Sequence, residues 1–126
     1  MRYSGVLVDH FLNPRNAGLM RDPDGVGEDV YEGCGDLARF YLRVRAGRVA
    51  EARFQTYGCG PTIAAASAAS ELVGGRIIED LVNLKAGEIE RMLEGLPEDR
   101  KHAADVVAGA LRAATLDYLR KRDAHV

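Results

Sequence analysis

The chain of 126 residues predicts an α+β fold. Two observations carry that reading. Residues 36–45 and 48–57 alternate apolar and polar side chains around Ala46-Gly47, the pattern of a β-hairpin. On either side of them apolar residues recur at helical spacing, most plainly from Glu98 to about Arg122. The length suits one domain with a real core and no need of disulfide staples.

Composition narrows the function classes. Hydrophobic residues make up 47% and charged residues 29%, with a net charge of −2 and no Trp. Such a balance gives no general attraction to nucleic acid or to an acidic membrane, and no base-stacking surface. The apolar part of Met1 to His10 is too short for a signal peptide and is broken by Asp9 and His10. No run reaches the roughly 18 apolar residues of a spanning helix. These features read as a soluble cytoplasmic protein, in which two cysteines are not expected to form a structural disulfide.

The elements follow in order. Ser4 to Leu12 places Val6, Leu7 and Phe11 on a short helix, and Asn13-Pro14 ends it, because a residue before proline avoids helical angles. Arg21 to Glu28, with Pro23, Gly25 and Gly27, reads as a loop. In the hairpin, Phe40, Leu42 and Val44 share one face, as do Ala50, Ala52 and Phe54. Matching these faces sets Phe40 opposite Phe54 and Val44 opposite Ala50, with a three-residue loop in which Gly47 can take a positive φ. Arg39, Arg43 and Arg45 lie with Tyr41 on the other, solvated face. Pro61 suits a first helical turn, Ile63, Ala66, Ser67, Ser70 and Val73 continue it, and Gly74-Gly75 stops it. Ile77 to Asn83 and Glu88 to Leu93 read as short helices, separated by Lys85-Ala86-Gly87. Glu98-Asp99 opens the longest helix, with Val107, Ala110, Leu111, Ala114 and Tyr118 as its apolar stripe and His102 in its first turn.

Carried to its open end, the hairpin register sets Asp36 opposite Gly58 and Cys34 opposite Gly60. Cys34, Asp36 and Cys59 therefore gather at one end. Cys59 stands between two glycines that let the backbone leave the pleat, and just before a helix N-terminus, where the macrodipole favours a thiolate. With His102 the candidates make two thiolates, a carboxylate and an imidazole, a tetrahedral donor set for zinc or iron. Taken singly each has a bland alternative: either cysteine as a buried core residue, Asp36 as a turn residue, His102 as an exposed first-turn residue. The repeated Gly-Cys-Gly, at 33–35 and 58–60, favours the site. His10 and His125 stay outside it.

At these residues the chain resembles the iron–sulfur cluster assembly scaffold family, of the IscU and NifU N-terminal type. The resemblance runs over nearly the whole sequence. It rests on Tyr3-Ser4 with Asp9-His10-Phe11-Leu12-Asn13-Pro14-Arg15-Asn16-Ala17-Gly18, on Cys34-Gly35-Asp36, on Ala52-Arg53-Phe54-Gln55-Thr56-Tyr57-Gly58-Cys59-Gly60, and on Leu96-Pro97, His102 and Asp117-Tyr118. It implies a single domain over residues 1–126, with a small antiparallel sheet of about three strands packed against several helices. It implies a scaffold, not an enzyme, that binds iron and a transient [2Fe-2S] cluster and transfers it to acceptor proteins. Sulfur would come from a cysteine desulfurase, and the scaffold would be a monomer or weak homodimer. Cys34, Asp36, Cys59 and His102 would be the cluster or metal ligands, with zinc as a substitute. Asp36 would be the oxygen ligand that keeps the cluster labile, since oxygen matches a soft cluster less well than thiolate.

The sequence departs from the family twice. The family usually carries a third cysteine directly after the histidine, a sulfur-receiving position; here it is Ala103. The family's Leu-Pro-Pro-Val-Lys chaperone-binding pattern reads Leu96-Pro97-Glu98-Asp99-Arg100, which weighs against an Hsp70-type chaperone. Four donors remain, enough for a mononuclear ion or a [2Fe-2S] cluster. Two rival functions follow: a divergent paralogue that holds a mononuclear zinc or iron without cluster assembly, and a thiol-based sulfur carrier using Cys59.

Overall fold

The computed structural model describes residues 3–33 and 35–125. Cys34 lies outside the described residues. Three antiparallel strands, β1 (Gly25–Tyr31), β2 (Asp36–Arg45) and β3 (Arg48–Tyr57), form one sheet in that order. Four helices accompany it: α1 (Gly5–Leu12), α2 (Gly60–Leu72), α3 (Ala86–Met92) and α4 (His102–Asp123), with 3₁₀ turns at Ile78–Asn83 and Glu98–Arg100. α4 lies across β1 and β2, α2 packs on β3 and α4, and α1 packs on α2.

The hairpin register follows the matched apolar faces as far as Arg43 opposite Glu51, with Phe40 opposite Phe54. A bulge between Arg43 and Val44 then sets Val44 opposite Val49. The connection is thereby a two-residue turn, with Ala46 and Gly47 both at positive φ, 51° and 75°, rather than the three-residue loop expected. A two-residue turn with this twist matches the right-handed twist of the strands. The bulge also turns Val49 into the core and leaves Ala50 exposed, the reverse of strict alternation. Tyr41, expected on the solvated face, is buried and donates its hydroxyl to Gln55 Oε1 at 2.6 Å. Arg43 donates to the Arg21 carbonyl at 2.6 Å, which ties the segment before β1 to this face.

The sheet has the three strands that the resemblance implies, and the largest correction is in the first of them: Gly25–Glu28, expected to be loop, are the first half of β1. Gly25 and Gly27 are there for close approach. A Cβ on Gly25 would stand 2.5 Å from the Ala114 carbonyl oxygen, and one on Gly27 would overlap the Ala114 nitrogen. Only bare backbone lets α4 settle this deeply on the strand. Asp117 secures the contact by accepting the Val26 N–H at 2.9 Å.

Other boundaries shift with capping chemistry. The residues at Glu98–Arg100 form a separate 3₁₀ turn, so α4 begins at His102. α3 begins at Ala86 rather than Glu88, because the Glu88 carboxylate accepts the Lys85 N–H at 3.2 Å. Ser4 caps α1 by accepting the Leu7 N–H at 3.0 Å. α2 is buried nearly all round, and Ala64, Ala65, Ala66, Ala68 and Ala69 are small enough to let every neighbour close on it. The outer edge of β3 is covered by isolated bridges from Ala17 and Ile77. Among the described residues no helix is long and apolar enough to cross a membrane.

The glycine contact is directly testable. Gly27→Ala is expected to lower the unfolding free energy by about 1–3 kcal/mol, the usual cost of overpacking. Gly87→Ala, where an added Cβ meets only the end of the Arg91 side chain at 3.7 Å, is expected to be neutral or to stabilise by up to about 1 kcal/mol. Urea denaturation of both variants distinguishes the two environments.

Candidate metal centre

Three element ends meet at the open end of the hairpin. Asp36 is the first residue of β2, Cys59 is the N-cap of α2, and His102 is the first residue of α4. Gly58, at a φ of 145°, turns the chain out of β3. A side chain there would overlap the Asp36 carboxylate, so this glycine supplies room as well as conformation. The β2–β3 ladder ends at Leu37 opposite Tyr57, and Gly58 nonetheless lies beside Asp36 as the extended register expects, while Cys59 leaves the pleat to cap α2.

The Asp36 side chain is the hub. It is only 3% exposed, and a buried carboxylate needs donors. Three converge on one oxygen, Oδ2: His102 Nε2 at 2.9 Å, the Thr62 hydroxyl at 2.9 Å and the Cys59 thiol at 3.5 Å. Burial pushes the Asp36 carboxyl up, but the hydrogen bonds from Thr62, His102 and Cys59 outweigh it and hold the group below its ordinary value. It is therefore a carboxylate at neutral pH.

Cys59 Sγ, an Asp36 oxygen and a His102 ring nitrogen all lie within 4.8 Å of one another. Donors around a four-coordinate zinc sit at about 2.0–2.3 Å from it, hence roughly 3.5 Å apart. The Asp36–His102 and Asp36–Cys59 separations already lie near that spacing. The donor set fits a borderline metal, with one soft sulfur, one imidazole and one oxygen. A thiol must give up its proton to bind a metal, so binding at Cys59 would release a proton. Cys59 is a free thiol, half-buried. It faces a cleft of about 260 Å³ lined by Asp36, Gly58, Arg100 and His102. Cys59 also borders an apolar groove of about 420 Å³, lined by residues that include Tyr3, Leu7, Phe11, Pro61 and Arg100.

Of the four expected ligands, Asp36, Cys59 and His102 come together, and Cys34 is outside the described residues. Two participants were not singled out from the sequence. Thr62 carried a signal, since it stands three residues after Cys59 and so shares its side of the helix. Tyr31 carried none: its ring stacks on His102 with centroids 4.3 Å apart and planes at 16°, a contact between β1 and α4. Ala103, next to His102, is fully buried. His10 is buried away from the centre, with Nδ1 2.7 Å from Ser67 Oγ and Nε2 3.7 Å from Glu71 Oε1.

The NifU-like N terminal domain family model matches residues 2–125. The chain is 41% identical over 119 residues to the iron-sulfur cluster assembly scaffold protein IscU 1 of Archaeoglobus fulgidus, covering 94% of this chain and 78% of the relative. It is 38% identical over 126 residues to the IscU scaffold protein of Azotobacter vinelandii, covering 97% and 98%. Among solved structures, an iron–sulfur cluster assembly scaffold protein for the SUF system of Fervidobacterium islandicum superposes with a TM-score of 0.73. That match covers 91% of this chain and 97% of the other at 17% identity, and speaks to the fold alone.

Two measurements probe this region. Burial, then the charge of Arg15, holds the His10 imidazole below its ordinary value of 6.5. The unfolded chain therefore takes up the proton first. The contribution of His10 is complete above about pH 6.5 and is lost as pH falls through the lower folded value. Urea midpoints should decline from pH 7.5 to 5, and the decline should be shallower in His10→Asn. Tyr31→Ala should remove the ring-current shift of the His102 ring protons in NMR spectra and destabilise the fold by about 0.5–1.5 kcal/mol beyond lost area, the usual worth of an aromatic pair.

Proposed function

Because the chain belongs to the NifU-like N-terminal domain family of iron–sulfur cluster assembly scaffolds, we propose that its cargo, iron and then a transient [2Fe-2S] cluster, is held by Cys34, Asp36, Cys59 and His102. The observation that carries this reading is the convergence of Cys59, His102 and Asp36 at one carboxylate oxygen. Cys34, two residues before Asp36, completes a set of four. Holding and releasing are both built into such a set. Cys59 and Cys34 bind iron as thiolates, His102 binds as a neutral ring, and the Asp36 oxygen is the weak bond from which transfer to an acceptor can start.

As a scaffold the protein works with assembly and acceptor proteins. In this reading sulfur comes from a cysteine desulfurase. With Ala103 at the family's usual sulfur-receiving position, delivery goes to Cys59 or Cys34. The groove beside Cys59 leaves that thiol approachable from outside. The protein carries its cargo as a single cytoplasmic domain and turns over no substrate of its own.

A second reading is favoured by the same compactness. Three different donors around one oxygen, with Cys34, would also close a mononuclear zinc or iron site. The two separate in an anaerobic reconstitution with ferrous iron, sulfide and a reductant. Visible charge-transfer absorbance, with iron and sulfide bound in equal amounts and lost in both Cys34→Ala and Cys59→Ala, is the expected result. One tightly held zinc or iron, and no bound sulfide, would establish the mononuclear site instead.

A further inference from the structure

We propose that Thr62 is a positioning residue for the metal centre: its hydroxyl holds the Asp36 carboxylate in the orientation from which Oδ2 meets the cargo. The inference rests on the ligand assignment above and adds a residue to it.

Thr62 lies in the first turn of α2 and is fully buried. A buried hydroxyl needs a partner, and on a helix the nearest is usually the carbonyl three or four residues back. Among the described residues, Thr115 and Ser70 follow that rule. Thr115 donates to the Leu111 carbonyl at 2.9 Å, and Ser70 to the Ser67 carbonyl at 2.7 Å. Thr62 does not. Its hydroxyl crosses to β2 and donates to Asp36 Oδ2 at 2.9 Å, while standing 3.4 Å from Cys59 Sγ. It touches two of the proposed ligands and serves neither as a cap nor as a back-bond to its own helix.

The consequence appears when cargo binds. Cys59 and His102 reach Asp36 through Sγ and Nε2, atoms that can themselves serve as metal ligands. Once those atoms turn to the metal, both hydrogen bonds to Asp36 are withdrawn. Among the described contacts of Oδ2, the Thr62 hydroxyl alone remains. An oxygen ligand held by an outer hydrogen bond keeps its orientation; one released from it swings among rotamers, and affinity falls.

Cobalt(II) tests this in the intact chain, because its visible bands report coordination geometry and its affinity can be titrated. Thr62→Val keeps the shape and removes the hydroxyl; Thr62→Ser keeps the hydroxyl and removes a methyl. Thr62→Val is expected to weaken cobalt binding by about 10-fold or more, the usual cost of losing an outer-shell partner, and to shift the visible bands. Thr62→Ser should restore both to near wild type, even if its melting temperature falls. If Thr62→Val binds with wild-type affinity and bands, or if Thr62→Ser loses as much as Thr62→Val, the positioning role is wrong. A wild-type chain that binds no cobalt would overturn the ligand assignment itself, and the role of Thr62 with it.

Discussion

A buried carboxylate is the constraint on which the rest of this structure turns. Asp36 opens β2 at almost no exposure, and an ionised carboxylate in that position is costly unless several donors reach it. The donors come from three places: the N-cap of α2, its first turn, and the first residue of α4. Satisfying one oxygen therefore pins the ends of three elements to a single point. The same three donors are the groups a metal would replace or exploit. Stability of the fold and, in the proposed function, readiness for cargo are two uses of one arrangement.

The remote packing exists to deliver His102 to that point. α4 reaches the sheet across bare glycine backbone on β1, and Gly109 of the helix in turn lies against Asp29 of the strand, where a side chain would overlap the carboxylate. Asp117 locks the far end of the contact by accepting the Val26 N–H. With α4 seated this closely, its first residue falls beside Asp36, and Tyr31 at the end of β1 stacks on the imidazole and restricts its rotation. A helix held a methyl group further away would carry the same histidine past the site.

In the four-donor set proposed here, two thiolates and an imidazole would grip iron firmly, and the aspartate oxygen would be the least matched donor and the natural place for exchange to begin. Cys59 lines both a cleft shared with Asp36 and His102 and a more apolar groove. A scaffold needs both, a place where cargo is held and a side from which it is reached.

Much of this is legible in the residues. Alternation around Ala46-Gly47 yields the hairpin and its register up to Arg43, and extending that register is enough to bring Asp36 and Cys59 together. Those inferences succeed because strand pairing is a local rule with period two. What stays hidden has an equally physical cause. β1 escapes notice because Gly25 and Gly27 look like turn residues in sequence, while their reason for being there is a helix near the other end of the chain. The bulge at Val44 escapes it because strict alternation admits no extra residue. The parts of Thr62 and Tyr31, and the placement of the candidate His102, rest on contacts with Asp36 or with His102, and such contacts follow from how helices pack on a sheet. The sequence alone determined the candidate ligands and that two of them, Asp36 and Cys59, share a hairpin end. Only the tertiary structure set His102, already a candidate in the sequence, and the Thr62 hydroxyl beside the carboxylate, because that depends on how closely α2 and α4 approach the strand that carries it.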